Sequence, residues 1–335
     1  MFNKTKLFAV SIFLTGILYG NFGTVAAQEN KDKKETITIS KKEDNALKKI
    51  EKAQTIDEKM QLIEAFVKEF PQSPARRRIV EYAADQVLQL KDDAQIVQKS
   101  ENYLKIFTPE AEADLVLPAL IYSYVQVKRP KDAFDTAQKY LARHPEDVST
   151  RLTLALEGSN QVRMGNKDFA APTSEYADKT IELMEADKRP ANVLEANWQE
   201  YKTKWLPQLY QTRGYLDYNS GDKEKARVSL EKATTLNSKD INSWVLIAAM
   251  LDDEYQALAL KYNTAAAAER DALLVKANEK LDTTIEAFAR IVALTDGKPE
   301  AKQINDQMRE DLETYYKYRH KNTDGLQALI DKYKK

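Results

Sequence analysis

The sequence predicts an all-α protein, an α-solenoid of stacked antiparallel helix pairs. Three observations carry that prediction. From Ala46 onward apolar residues recur at three- and four-residue spacing with no long alternating stretch. Gly and Pro are scarce, 9 and 10 in 335 residues, too few for the many turns of an all-β fold. The turn residues that do occur fall at near-regular intervals. With Pro71, Pro109, Pro145, Pro190 and Ser238 as markers, the gaps are 38, 36, 45 and 48 residues. One helix pair cannot bury both its faces, so repeats of that length must stack on one another.

Composition narrows the function. Lys plus Arg number 51 and Asp plus Glu 52, a net charge of −1, which leaves no electrostatic footprint for nucleic acid or an anionic membrane. Hydrophobic residues make up 43% and charged ones 31%, enough for a core and against wholesale disorder. The absence of Cys excludes disulfides, thiolate metal sites, a Cys nucleophile and a Cys-linked lipid anchor. Two His exclude a His-rich metal site.

Residues 1–27 read as a cleaved secretory signal. Lys4 and Lys6 form the positive region, residues 7–19 an apolar run shorter than the ~20 residues a spanning helix needs, and Val25-Ala26-Ala27 a small-residue cleavage site. The competing reading is an uncleaved anchor, which Gly16, Gly20 and Asn21 weaken by interrupting the run. The chain is thus expected to be exported, periplasmic or secreted, with no membrane span after cleavage. No N-x-S/T sequon lies beyond the signal, which with the missing Cys suits a bacterial export route. Residues 28–45 are charged and read as a flexible linker.

The helical stripes follow in order. Leu62, Ile63, Phe66, Val67 and Phe70 form one; Leu115, Ala119, Tyr122 and Val125 a second; Thr180, Ile181 and Met184 a third; Val228, Leu230, Ala233 and Leu236 a fourth. Between them lie helix punctuators. Ser73-Pro74 and Thr108-Pro109 read as N-caps followed by Pro in the first turn. His144-Pro145, Arg189-Pro190, Asn237-Ser238-Lys239-Asp240 and Gly297-Lys298-Pro299 are further breaks. Gly221-Asp222 reads as a helix terminator followed by an N-cap.

Within these units the residues resemble the tetratricopeptide repeat, whose loose signature spans 34 residues. The unit at 114–147 carries Leu117, Leu120, Tyr124, Ala133 and a closing Pro145, with Ile121 and Ala137 departing from the usual Gly and Phe. The unit at 207–240 carries Tyr210, Gly214, Ala226, Leu230 and Ala233, with Arg213 and Asp217 departing from the apolar pattern. Trp244, Ile247, Ala248 and Leu251 open another, whose second helix is placed at about 278–295 around Phe288, after an inserted helical hairpin at about 253–280. Weaker pairs occupy 75–108 and 148–188, the latter with a loop near 165–172, and 299–334 closes the array over a domain of 46–335. The resemblance implies a right-handed superhelix whose first helices line a concave face. It places Tyr122, Gln126, Leu156, Asn160, Tyr215, Tyr218 and Asn219 there. The basic pattern of the chaperone-tail-binding members is not evident.

No catalytic constellation stands against its simpler explanation, so the chain reads as non-catalytic, with no cofactor and no metal. His144 and His320 sit near helix ends, where His commonly meets the last carbonyls. The acids Asp252, Asp253 and Glu254 diverge by about 100° per residue on a helix, unlike converging cation ligands. Arg76-Arg77-Arg78 reads as a solvated or ion-paired helix face, the alternative being a contact with an acidic partner or a lipid head group. Phosphate-cradling Gly loops and a G-x-S-x-G elbow are absent. Seventeen Tyr suit half-exposed interfaces. The expected function is a protein-protein adaptor or scaffold of the bacterial cell envelope, binding a peptide or partner domain there and no nucleic acid. The rival readings are a component of an outer-membrane assembly machinery, which residues 70–74 (FPQSP) resemble, and a small-molecule, polysaccharide-binding or enzymatic helical-repeat protein.

Overall fold

The computed structural model describes residues 38–190 and 192–334; the expected signal at 1–27 lies outside them. Among the described residues the protein is all-α, with fifteen α-helices, three single-turn 3-10 segments and no strand. Two compact units are present, residues 38–158 and 159–334, and the division falls inside one helix.

The N-terminal unit opens with α1 (Lys41–Lys52), α2 (Ile56–Glu69), α3 (Arg76–Leu88) and α4 (Asp93–Ile106), followed by the single turn α5 (Glu110–Ala113), α6 (Leu117–Gln126) and α7 (Pro130–Arg143). The starts follow from capping chemistry. Ser40 Oγ accepts from Glu43 N at 3.2 Å while Glu43 accepts from Ser40 N at 2.8 Å, a reciprocal capping box. That box starts α1 at Lys41, so residues 41–45 of the expected linker are helical. Ser73-Pro74 does not cap α3 directly. The helix begins at Arg76, and Ser73 Oγ instead accepts from Ala75 N within a turn. Each helix packs chiefly on the one before it, α4 passing over the short α5 to meet α6. Ile63, Phe66, Ala83, Val87, Tyr103, Phe107 and Val116 fill the core between α2, α3 and α4. Arg76 of α3 holds Glu112 of α5 through two hydrogen bonds of 2.7 and 2.8 Å. Asp114, just after α5, receives Arg143 and lies 2.7 Å from His144 Nε2. His144 therefore meets a carboxylate rather than the carbonyls of its own helix.

α8 (Val148–Arg163) carries the division. The C-terminal unit continues with α9 (Ala170–Glu185), α10 (Trp198–Ser220), α11 (Lys223–Leu236), α12 (Ile241–Thr264), α13 (Ala267–Thr295), α14 (Lys302–His320) and α15 (Leu326–Asp331). α10 packs between α9 and α11 and also meets α12; α13 packs on α12, α14 and α15. α10 ends at Gly221, whose φ of 88° only Gly adopts without strain, and Asp222 then caps α11 through Lys225 N. The helix expected at 278–295 starts at Ala267: α12 and α13 run 24 and 29 residues and meet at Ala265 and Ala266. The loop expected near 165–172 ends earlier, because Pro172 lies in the first turn of α9, where Pro costs nothing. Met250, Leu281, Ile285, Phe288, Val292 and Leu312 fill the core of this unit.

Candidate functional site

The expected surface residues fall in both units. In the N-terminal one, Tyr122 and Gln126 stand one turn apart on α6, both half-buried, and Leu156 is half-buried on α8. Gln126 Nε2 is sealed from solvent and has no acceptor. In the C-terminal unit, Asn160 is half-buried near the end of α8, and Tyr215, Tyr218 and Asn219 occupy the last turns of α10.

The α10 site is built by helical spacing. Leu209, Thr212 and Leu216 turn inward, and Gly214 lets α10 approach Leu230 of α11 closely. That leaves Gln211, Tyr215 and Asn219, four residues apart, along one less buried face. Tyr218 packs against the core of the C-terminal unit; burial, with the charge of Asp253, raises its phenol above the usual range. Asn219 is exposed, and its Nδ2 donates back to Tyr215 O at 2.7 Å. Its amide is thus half-used by its own helix.

Three residues outside the expected set complete the site. Arg163, the last residue of α8, lies over Tyr215 with its guanidinium carbon 3.9 Å from the ring centroid. Gln211 Nε2 donates to Asp240 at 2.7 and 2.8 Å. Asp240 also caps α12, accepting from Asn242 N at 3.2 Å and Ser243 Oγ at 2.5 Å. Its oxygens are therefore taken up, although its charge reaches Arg163. Nη2 of Arg163 is sealed from solvent without an acceptor, and Oδ1 of Asn242 is sealed without a donor. Burial lowers the Arg163 pKa below its ordinary value. Gln211 and Arg163 were reachable from the sequence by carrying the register one turn beyond Tyr215 and Asn160. Asp240 reads there only as helix punctuation.

A cleft of about 370 Å³ lies elsewhere in the C-terminal unit, against α9, α10 and α11, lined in part by Asp178, Ile181, Tyr210, Arg213, Asp217 and Val228. Arg213 Nε meets Asp178 at 2.6 Å and its Nη2 meets Asp217 at 3.1 Å. The two residues that break the apolar repeat pattern, Arg213 and Asp217, are thus partners. Burial raises the Asp217 carboxyl above its ordinary value despite Arg213.

The acidic triplet disperses. Asp252 accepts from Tyr315 Oη at 2.6 Å, Asp253 meets Lys223 at 2.7 Å, and Glu254 meets Arg227 and Lys280. Among the described residues no group of three or more His, Cys, Asp or Glu is placed to hold a metal, and no helix is long and apolar enough to cross a membrane. No family model matches the chain, and no curated protein matches it in sequence.

Proposed function

We propose that the helices of each unit stack as tetratricopeptide-like pairs, and that the protein is an exported, non-catalytic adaptor or scaffold of the bacterial cell envelope. Its ligand is a peptide or a partner domain laid along the first helices of the pairs. The observation that carries this reading is the α10 face, where Gln211, Tyr215 and Asn219 line up half-buried or exposed on a helix braced by α9 and α11. Tyr offers a rigid ring and a polar tip at low entropic cost, which suits an anchor in an interface. The sequential packing of helices within each unit supports the stacked arrangement. The signal-like residues 1–27 support export.

In-cell cross-linking of the tagged protein followed by mass spectrometry tests the reading. A reproducible envelope partner is expected, lost on Tyr215→Ala together with Tyr218→Ala while the circular dichroism stays helical. Capture that is unchanged in the double variant rejects the α10 face. The cleft at Asp178, Arg213 and Asp217 favours a second reading, a small polar ligand. A thermal-shift screen of cell-wall fragments and metabolites reads it directly, with Val228→Trp expected to block any hit.

A further inference from the structure

Arg163 is anomalous in its surroundings. In the C-terminal unit Arg213 is closed by Asp178 and Asp217, Arg227 by Glu254, Arg309 by Asp296 and Arg319 by Asp282, Arg189 and Arg270 donate to backbone carbonyls, and Arg290 lies between two aromatic rings. Among the described residues no carboxylate pairs with Arg163, and its Nη2 has no acceptor at all. The face of Tyr215 and the carbonyl end of α8 offset part of its charge. Neither supplies an in-plane oxygen, which is what a guanidinium fork is shaped to receive. Asp240, whose charge reaches Arg163, is committed to Gln211, Asn242 and Ser243. A desolvated cation left in this state is costly, and Arg163→Met would remove the cost while keeping the stem that packs on Tyr215.

We infer that Arg163, held flat by Tyr215, is the receptor for a carboxylate of the bound peptide. This rests on the α10 face being the peptide surface. Gln211 and Asp240 hold each other beside it, and the charge of Asp240 reaches Arg163. The carboxylate has two sources, the C-terminus of the peptide or an Asp or Glu side chain, and the same fork accepts either.

The test begins with acetate. In the full chain labelled with nitrogen-15, the Nε–Hε resonance of Arg163, assigned by its loss in Arg163→Lys, should move saturably with sodium acetate and not with sodium chloride at equal ionic strength. Arg290, sandwiched between Trp244 and Tyr333 at 4.2 and 4.3 Å, is the internal control and should not saturate. No saturable shift at Arg163, or an equal one at Arg290, overturns the inference whatever peptides do. Tetrapeptides of one sequence then separate the sources. A free C-terminus should bind about tenfold or more tighter than its amide if the terminus is read, and an internal Glu tighter than Gln by the same factor if a side chain is. Equal affinity for all four overturns the inference. Arg163→Met should erase that discrimination and raise Tm, whereas a merely structural arginine would lower it. If Arg163→Met leaves peptide affinity intact while Tyr218→Ala abolishes it, the peptide surface stands and the carboxylate receptor falls. If neither changes affinity, both fall.

Discussion

The guanidinium of Arg163 stacks on the ring of Tyr215 at 3.9 Å, joining the end of α8 to the less buried face of α10. Among the described residues no carboxylate pairs with that charge, so the contact with the ring should be asymmetric to substitution. Tyr215→Phe keeps the face and should cost little. Tyr215→Ala should cost about 2 kcal/mol, the worth of a desolvated cation–π contact. Urea unfolding of both variants reads the difference; equal loss in the two would place the energy in the hydroxyl instead.

Gly214 marks the closest approach of α10 to α11. A Cβ there would stand 2.5 Å from Leu230 Cγ and 3.2 Å from the carbonyl oxygen of Ala226. Leu230 is fully buried and has nowhere to retreat. Gly214→Ala gains up to ~1 kcal/mol of helix propensity and loses ~1–3 kcal/mol to overpacking. A net destabilisation of roughly 1 kcal/mol is expected in urea, opposite in sign to the effect at an open helical glycine.

Arg213 shares its charge between Asp178 and Asp217, and Asp217 is buried. Arg213→Leu strands that carboxylate and should cost about 3 kcal/mol at neutral pH, as for a broken buried pair. The Asp217 carboxyl is already above its ordinary value through burial, and losing Arg213 raises it further. A raised carboxyl pKa in the folded state means the fold holds the proton more tightly, so the deficit should shrink as pH falls toward 5. Arg213→Leu with Asp217→Leu should recover much of the loss. Equal deficits at both pH values would show that packing, not charge, was lost.

Asp114 is the opposite case. Burial opposes its ionisation, but Arg143 and His144 outweigh burial and hold its carboxyl below the ordinary 3.8. Its stabilisation is present above the unfolded value and lost as pH falls through the lower folded one. Acid unfolding below about pH 4 should therefore be less steep in Asp114→Asn, which should also lose roughly 1–3 kcal/mol at neutral pH. An unchanged acid profile would remove Asp114 from the account of acid stability.

Apolar burial separates two leucine-like positions that read alike in sequence. Leu281 is wholly buried, whereas Val228 is 64% exposed beside the cleft. Leu281→Ala should cost 2–5 kcal/mol or thereabouts, Val228→Ala under about 0.5 kcal/mol, by thermal or urea unfolding. A large loss at Val228 would mean that something covers it.

Periodicity and punctuation along the chain made the helices of the described residues legible, with many of their ends. Three- and four-residue spacing is a local property of a 3.6-residue helix, and so are the caps at Gly221 and Asp222. Counting along a helix also brings Tyr215, Tyr218 and Asn219 within about one turn of each other on α10, although Tyr218 packs against the core. Local pattern misjudges what depends on partners distant in the chain. His144 found Asp114, and Ser73 capped a turn rather than a helix. Which charges are answered depends on how the helices pack. Arg213 and Asp217 break the repeat pattern yet satisfy each other, while Arg163, an ordinary arginine at a helix end in sequence, is left with a tyrosine face and no acid. The physical reason is that desolvation and pairing are set by what the packed helices bring within a few ångströms, and no periodicity along the chain carries that information.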